Sequence, residues 1–231
     1  MEERILEYEE EIGYHFRNPS LLQNALTHSS YCMENQLPAE RSYERLEFLG
    51  DAYLDAVISS VLYEKKIHSP EGSLSKLRSE IVCEKACEEV AEKLKIGKYL
   101  ILGNGEERTG GREKTSILAD AVESTIAAVF LDGGYEEARA FILREFSGLI
   151  DRAISGKLFQ DYKTKLQEKL QREGACPKIE YRTVRETGPD HNKTFQVALI
   201  VNGNLISYGM GKSKKEAQQD AARAALSGEK A

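Results

Sequence analysis

The chain has 231 residues, with 32 Lys plus Arg against 38 Asp plus Glu and 41% hydrophobic residues. That composition suits one or two globular domains with real cores and excludes a low-complexity or fibrous chain. No apolar run approaches membrane-spanning length, and the acidic start from Met1 to Glu11 lacks the basic stretch and apolar core of a secretory signal, so no membrane partner and a cytoplasmic location are expected.

Cys32, Cys83, Cys87 and Cys176 are too few and too irregular for a disulfide framework, and with His15, His28, His68 and His191 they make no zinc spacing. Buried free thiols are the expectation. The net charge of −6 hides an asymmetry: residues 1–152 carry 18 basic against 29 acidic side chains, a balance of −11, whereas residues 153–231 carry 14 against 9, a balance of +5. An acidic half is joined to a basic half.

From Ile5 to about Ile150 the pattern is one of amphipathic helices separated by short polar turns, with little period-2 alternation, which predicts an all-α domain over 1–152. Residues 44–55, Glu44-Arg-Leu-Glu-Phe-Leu-Gly-Asp-Ala-Tyr-Leu-Asp, gather acids on one helix face. With Glu44 at zero and about 100° per residue, Glu47 falls near −60°, Asp51 near −20° and Asp55 near +20°. Phe48 lies near +40°, beside the stripe, and as an apolar helix residue reads as core. The glycine-rich piece 103–111 lacks the spacing of a phosphate-binding loop and is expected to be a surface loop.

Residues 116–132 form a second helix, small or apolar nearly all round, in which Asp120 and Glu123 sit at i and i+3. Such a helix should be buried. Two carboxylates there are costly without a counter-charge, and no Lys or Arg lies between Lys114 and Arg139 to supply one locally. A divalent cation shared with the first stripe answers this, and oxygen ligands without His or Cys point to Mg²⁺ or Mn²⁺ rather than zinc.

Ser155-Gly-Lys-Leu marks a linker, placed at 153–159. Beyond it a helix from about Asp161 to Glu173 precedes strands at Lys178–Arg185, Thr194–Val201 and Leu205–Gly209, with Asn202-Gly203 as a type I′ hairpin turn and a last helix after Gly211. This is a compact α-β-β-β-α unit of the α+β class, over 160–228. Lys212, Lys214 and Lys215 crowd the start of the last helix, where the macrodipole disfavours cations, which suggests an external anion such as phosphate.

Tyr162-Lys-Thr-Lys-Leu-Gln-Glu, Gly188-Pro-Asp-His191 and Ser213-Lys-Lys-Glu-Ala, in that order, resemble the double-stranded RNA-binding domain. The resemblance implies that Thr164 and Gln167 serve one minor groove, His191 the next, and Lys212, Lys214 and Lys215 the phosphates between them. Gln218 stands where a further lysine is common in that family, which implies a weaker phosphate contact.

Glu44-Arg-Leu-Glu-Phe-Leu-Gly-Asp resembles the signature of ribonuclease III, and Leu118-Ala-Asp-Ala-Val-Glu its second acidic helix. By that resemblance Glu47, Asp51, Asp120 and Glu123 are the catalytic, metal-binding quartet, Glu44 and Glu71 supporting acids, and Asp55 a surface acid. It further implies a homodimer in which Phe48 inserts into the partner, two ions at each active site, and hydrolysis of double-stranded RNA to 5′-phosphate and 3′-hydroxyl ends with short 3′ overhangs. Ribosomal RNA precursors and structured messengers are the implied substrates. Tyr43 stands where the signature usually has asparagine, a departure expected to be tolerated. A non-cleaving RNA-binding protein would lack one of the four acids, and a hydrolase of small phosphoesters would have no use for the basic C-terminal unit.

Overall fold

The computed structural model describes residues 2–156, 158, 162–172, 177–188 and 193–228. It divides into two compact units, Met1–Leu158 and Phe159–Ala231. In the first, the helices are α1 (Glu2–Ile12), α2 (Pro19–Ala25), α3 (Ser29–Glu34), α4 (Glu44–Lys65), α5 (Glu71–Ile81), α6 (Glu84–Lys93), α7 (Ile96–Tyr99), α8 (Asn104–Arg108), α9 (Thr115–Gly133) and α10 (Tyr135–Ile154).

Helix α9 is the centre of this unit because it can be buried on every side. Leu118, Ala121, Val122, Ile126, Ala127, Ala128 and Val129 are buried, and α4, α6, α2 and α10 pack around them. Its two buried hydroxyls are both satisfied: Ser124 Oγ donates across to the Ala25 carbonyl of α2 and Thr125 Oγ to the Ala121 carbonyl within α9, both at 2.7 Å. A single residue, Gly134 at φ +88°, turns the chain into α10, and its N–H closes on the Phe130 carbonyl at 2.8 Å.

Helix α4 lies against α9 through Leu54, Val57, Ile58, Val61 and Leu62, all buried, each worth about 1.5–3 kcal/mol of burial. On the same helical wheel these residues span about −140° to 0°, so the acidic stripe, about −60° to +20°, overlaps the edge of the buried face one to two turns nearer the start of the helix. Only glycine permits the observed approach: a Cβ on Gly50 would lie 1.8 Å from the Glu123 carbonyl oxygen.

The 103–111 segment is more ordered than a surface loop. It contains α8, whose first amides are met from a distant helix, Asn104 N–H and Gly105 N–H donating to the Glu34 carboxylate at 2.8 and 3.0 Å. Helix α10 continues through Ile154, and Leu158 is buried, so the residues expected as linker begin within the last helical turn.

In the second unit α11 (Tyr162–Arg172) precedes β1 (Ile179–Thr187), β2 (Thr194–Val201), β3 (Asn204–Gly211) and α12 (Lys214–Ser227). The strands form one antiparallel sheet in the order β1-β2-β3. Asn202 and Gly203, at φ +52° and +83°, make the expected tight hairpin turn. Leu166, Leu199, Ala221 and Ala222 form its core. The alanines of α12 answer the glycines of β3, because a Cβ on Gly209 would sit 2.1 Å from the Ala221 nitrogen. The observed architecture is the expected one, an all-α unit followed by an α-β-β-β-α unit.

Candidate active site

Glu47 comes from the first turn of α4, and Asp120 and Glu123 from successive turns of α9. The α4–α9 packing brings one carboxylate oxygen of each to within 4.8 Å of the others, all three half-buried. Asp51, the fourth expected member, lies outside this cluster and is exposed, one turn along α4. It is close enough for its charge to act on both Glu47 and Glu123.

Electrostatics follow from this geometry. Burial pushes the Glu123 carboxyl up to about 8, reinforced by the negative charges of Asp51, Asp120, Glu47 and Asp55. Glu47 is raised by burial and then by Asp120, Glu44 and Asp51. Burial also raises Asp120, and the hydrogen bond it accepts from Tyr43 opposes the shift. Among the described residues no Lys or Arg forms an ion pair with Glu47, Asp120 or Glu123. Three like charges this close are disfavoured unless a cation or a proton joins them. The donor set, all carboxylate oxygen, fits a hard divalent cation.

The supporting acids separate. Glu44 is exposed one turn before Glu47, and its charge reaches Glu47 and Asp120. Glu71 is exposed at the start of α5, where it accepts from Ser75 Oγ at 2.7 Å and lines a hollow with Ser59, Tyr63 and Arg78. Ser59 is twelve residues, roughly 18 Å, along α4 from Glu47, so Glu71 is not part of the cluster. Asp55 is half-buried and faces Arg78 Nε at 3.8 Å, rather than standing free on the surface as expected.

Phe48 corrects the core reading of the residue pattern: its side chain is 80% exposed. Ala52, Ala56 and Tyr63 are exposed on the same side of α4. Cys32 and Cys87 are buried free thiols as expected, and Cys83 is partly buried. Burial, and next the Glu123 charge, push the Cys87 thiol up. Cys176 lies outside the described residues.

A residue that the pattern of acids did not point to is Tyr43. It is buried ahead of α4, and its hydroxyl donates to Asp120 Oδ2 at 3.2 Å. Glu84, at the start of α6, also adds its charge to Asp120. Neither has a local sequence signal, since the partner is 77 residues away for one and 36 for the other.

In the second unit Thr164 and Gln167 are exposed on α11, three residues apart. Lys212, Lys214 and Lys215 are exposed around the start of α12, which Ser213 caps by accepting from the Glu216 N–H at 3.2 Å. Lys214 Nζ lies 3.2 Å from Glu186 and 5.6 Å from the Phe195 ring centre. Gln218 accepts from Lys163 Nζ at 2.7 Å. His191 lies outside the described residues.

Comparison with known proteins agrees with both halves. Residues 18–149 match the family model described as ribonuclease-III-like, and residues 162–228 match the double-stranded RNA binding motif. Ribonuclease 3 of Caldanaerobacter subterraneus subsp. tengcongensis is 49% identical over 219 residues, 95% of each chain. Ribonuclease 3 of Clostridium acetobutylicum is 48% identical over 228 residues, 98% of each chain. The solved nuclease domain of ribonuclease III from Campylobacter jejuni, described as flexible in a region involved in dimer formation, superposes with a TM-score of 0.58 at 40% identity, covering 62% of this chain and 96% of that one. An acidic pocket built on two packed helices, a lysine-fronted α-β-β-β-α unit and this near full-length similarity place the chain in the ribonuclease III family.

Proposed function

We propose that the chain is a homodimeric, double-strand-specific endoribonuclease in which Glu47, Asp51, Asp120 and Glu123 hold two divalent ions, Mg²⁺ or in its place Mn²⁺, at each active site. The observation that carries this reading is the group of three half-buried carboxylates within 4.8 Å that raise one another's affinity for a positive charge. When bound, such ions activate water, neutralise the scissile phosphate and stabilise the leaving oxygen. The protein's part is to fix four negative charges on two helices whose separation Gly50 sets, and to keep that constellation rigid. The products are 5′-phosphate and 3′-hydroxyl ends with short 3′ overhangs. The substrates are duplex regions of ribosomal RNA precursors and messengers, and the enzyme works in the cytoplasm. No helix among the described residues is long and apolar enough to cross a membrane.

Substrate choice belongs to the second unit. Thr164 and Gln167 address 2′-hydroxyls in one minor groove and His191 those in the next, while Lys212, Lys214 and Lys215 hold phosphates across the major groove between. The test is cleavage of a long RNA duplex with Mg²⁺, with and without chelator, by the intact chain and by its Lys214→Ala, Lys215→Ala double variant. Chelator stops cleavage. The double variant binds more weakly, and its salt dependence, read as log K against log salt, is shallower by about 1 for each lysine removed, with turnover at saturating RNA retained. Cleavage that persists in chelator removes the metal reading, and an unchanged salt slope removes the lysines from the RNA interface.

Self-association uses the exposed side of α4. An aromatic side chain 80% exposed on a helix flanked by Ala52, Ala56 and Tyr63 fits a two-fold interface, in which each copy offers the same patch. Phe48→Ala weakens dimerisation at least about tenfold in sedimentation velocity, the size expected of an aromatic anchor. It leaves the fold intact, because the side chain makes little contact with its own chain. A dimer as tight as the parent's rules out Phe48 as an anchor.

A further inference from the structure

Tyr43 is held rigidly. Its N–H donates to the Thr27 carbonyl at 2.8 Å, its ring meets the His28 ring edge to face with centroids 5.6 Å apart, and only 2% of the residue is exposed. His28 is itself fixed, its N–H on the Ile101 carbonyl at 3.0 Å and its Nδ1 2.7 Å from Ser30 Oγ. Tyr43 also caps α4, its carbonyl accepting from the Leu46 and Glu47 N–H groups at 2.8 Å, so the phenol reaches α9 from the start of α4, anchored on the Thr27–His28 segment. It ends on Asp120 Oδ2, 3.2 Å away.

A carboxylate free to turn about its Cβ–Cγ bond offers either oxygen in many directions. One fastened at Oδ2 offers Oδ1 in a single direction. A buried phenol needs an acceptor. Here that acceptor is a member of the acidic cluster rather than a neighbouring backbone carbonyl.

We propose that Tyr43 is a positioning residue of the metal site, orienting Asp120 through its hydroxyl so that residue 43 tunes metal affinity in this chain. The inference rests on the reading of Asp120 as a metal ligand.

The experiment is a Mn²⁺ titration of the full-length protein without RNA, at fixed pH, with free Mn²⁺ read by electron paramagnetic resonance. Parent, Tyr43→Phe and Asp120→Asn are compared. Phenylalanine keeps the ring, its burial and its contact with His28, and a urea melt in chelator checks that the midpoint is unmoved. Tyr43→Phe should raise the Mn²⁺ dissociation constant roughly 10- to 100-fold, the usual cost of losing a group that orients a ligand. The Mg²⁺ concentration for half-maximal duplex cleavage should move by the same factor, while cleavage at saturating Mg²⁺ returns to within about threefold of the parent, a split that a merely structural role would not give. If Tyr43→Phe titrates like the parent while Asp120→Asn loses Mn²⁺, the inference is overturned and the metal-ligand reading stands. If Asp120→Asn also titrates like the parent, both fall.

Discussion

Glu123→Gln lowers duplex cleavage by on the order of 10³-fold or more while making the metal-free protein more stable at pH 8. The first effect follows from charge. Glu123 is the member of the cluster whose affinity for a positive charge is raised most, to about 8, and glutamine keeps its shape without the charge. A metal site supplies several kcal/mol of transition-state stabilisation, and at about 1.36 kcal/mol per factor of ten its loss is a thousandfold effect. Mg²⁺ should raise the melting temperature of the parent by mass action and leave that of the variant unmoved.

The second effect follows from linkage. In the unfolded chain the carboxyl of Glu123 titrates near 4.5, and in the folded metal-free chain near 8. Between these values the folded state holds a proton that the unfolded state has lost, so stability falls as pH rises. It is fully present below about pH 4.5 and lost progressively toward pH 8, a change on the order of a few kcal/mol that the cluster shares. Glutamine removes this penalty. Urea melts in chelator at pH 5 and pH 8 check it: the parent weakens between them, the variant weakens less, and the two converge at the lower pH. A variant no more stable than the parent at pH 8 would show that Glu123 carries no such strain.

That opposition between stability and activity was partly legible in the residue pattern. Helical periodicity is local, so the acidic stripe of α4 and the two acids in the otherwise apolar α9 could be read directly, as could the alternation in β2 and the Asn202-Gly203 turn. What periodicity cannot give is which faces meet. Glu47 and Asp120 are 73 residues apart, and the depth of the α4–α9 contact decides that they share a pocket while Asp51 stays at its edge. The same limit explains Phe48, an apolar residue that local pattern assigns to the interior and packing leaves outside. It explains α8 too, whose exposed amides are satisfied by Glu34 from another helix, with no capping residue of its own to announce it. Tyr43 and Glu71 are the two ends of the problem. One joins the site without a sequence reason, and the other, a supporting acid by resemblance, stands at the start of α5, away from the cluster.

Gly50→Ala should be the most damaging small substitution in the nuclease unit. The added Cβ would lie 1.8 Å from the Glu123 carbonyl oxygen, 2.5 Å from its carbon and 3.1 Å from its Cα. All three atoms are backbone of a buried helix, so no side-chain rotation relieves the overlap, and α4 and α9 must move apart. Overpacking of this kind costs about 3 kcal/mol or more, read as a lower urea midpoint. Glu47 and Asp51 move with α4 while Asp120 and Glu123 stay with α9, and misplacement by about 1 Å can cost 10²-fold in rate. The loss should therefore persist at temperatures where the variant is fully folded. Gly148→Ala is the contrast, on the exposed side of α10 with nothing within 4 Å of the new Cβ. There the gain in helix propensity should add about 0.5–1 kcal/mol and leave cleavage unchanged. If Gly50→Ala is tolerated as well as Gly148→Ala, the close approach of α4 to α9 is not what assembles the four carboxylates.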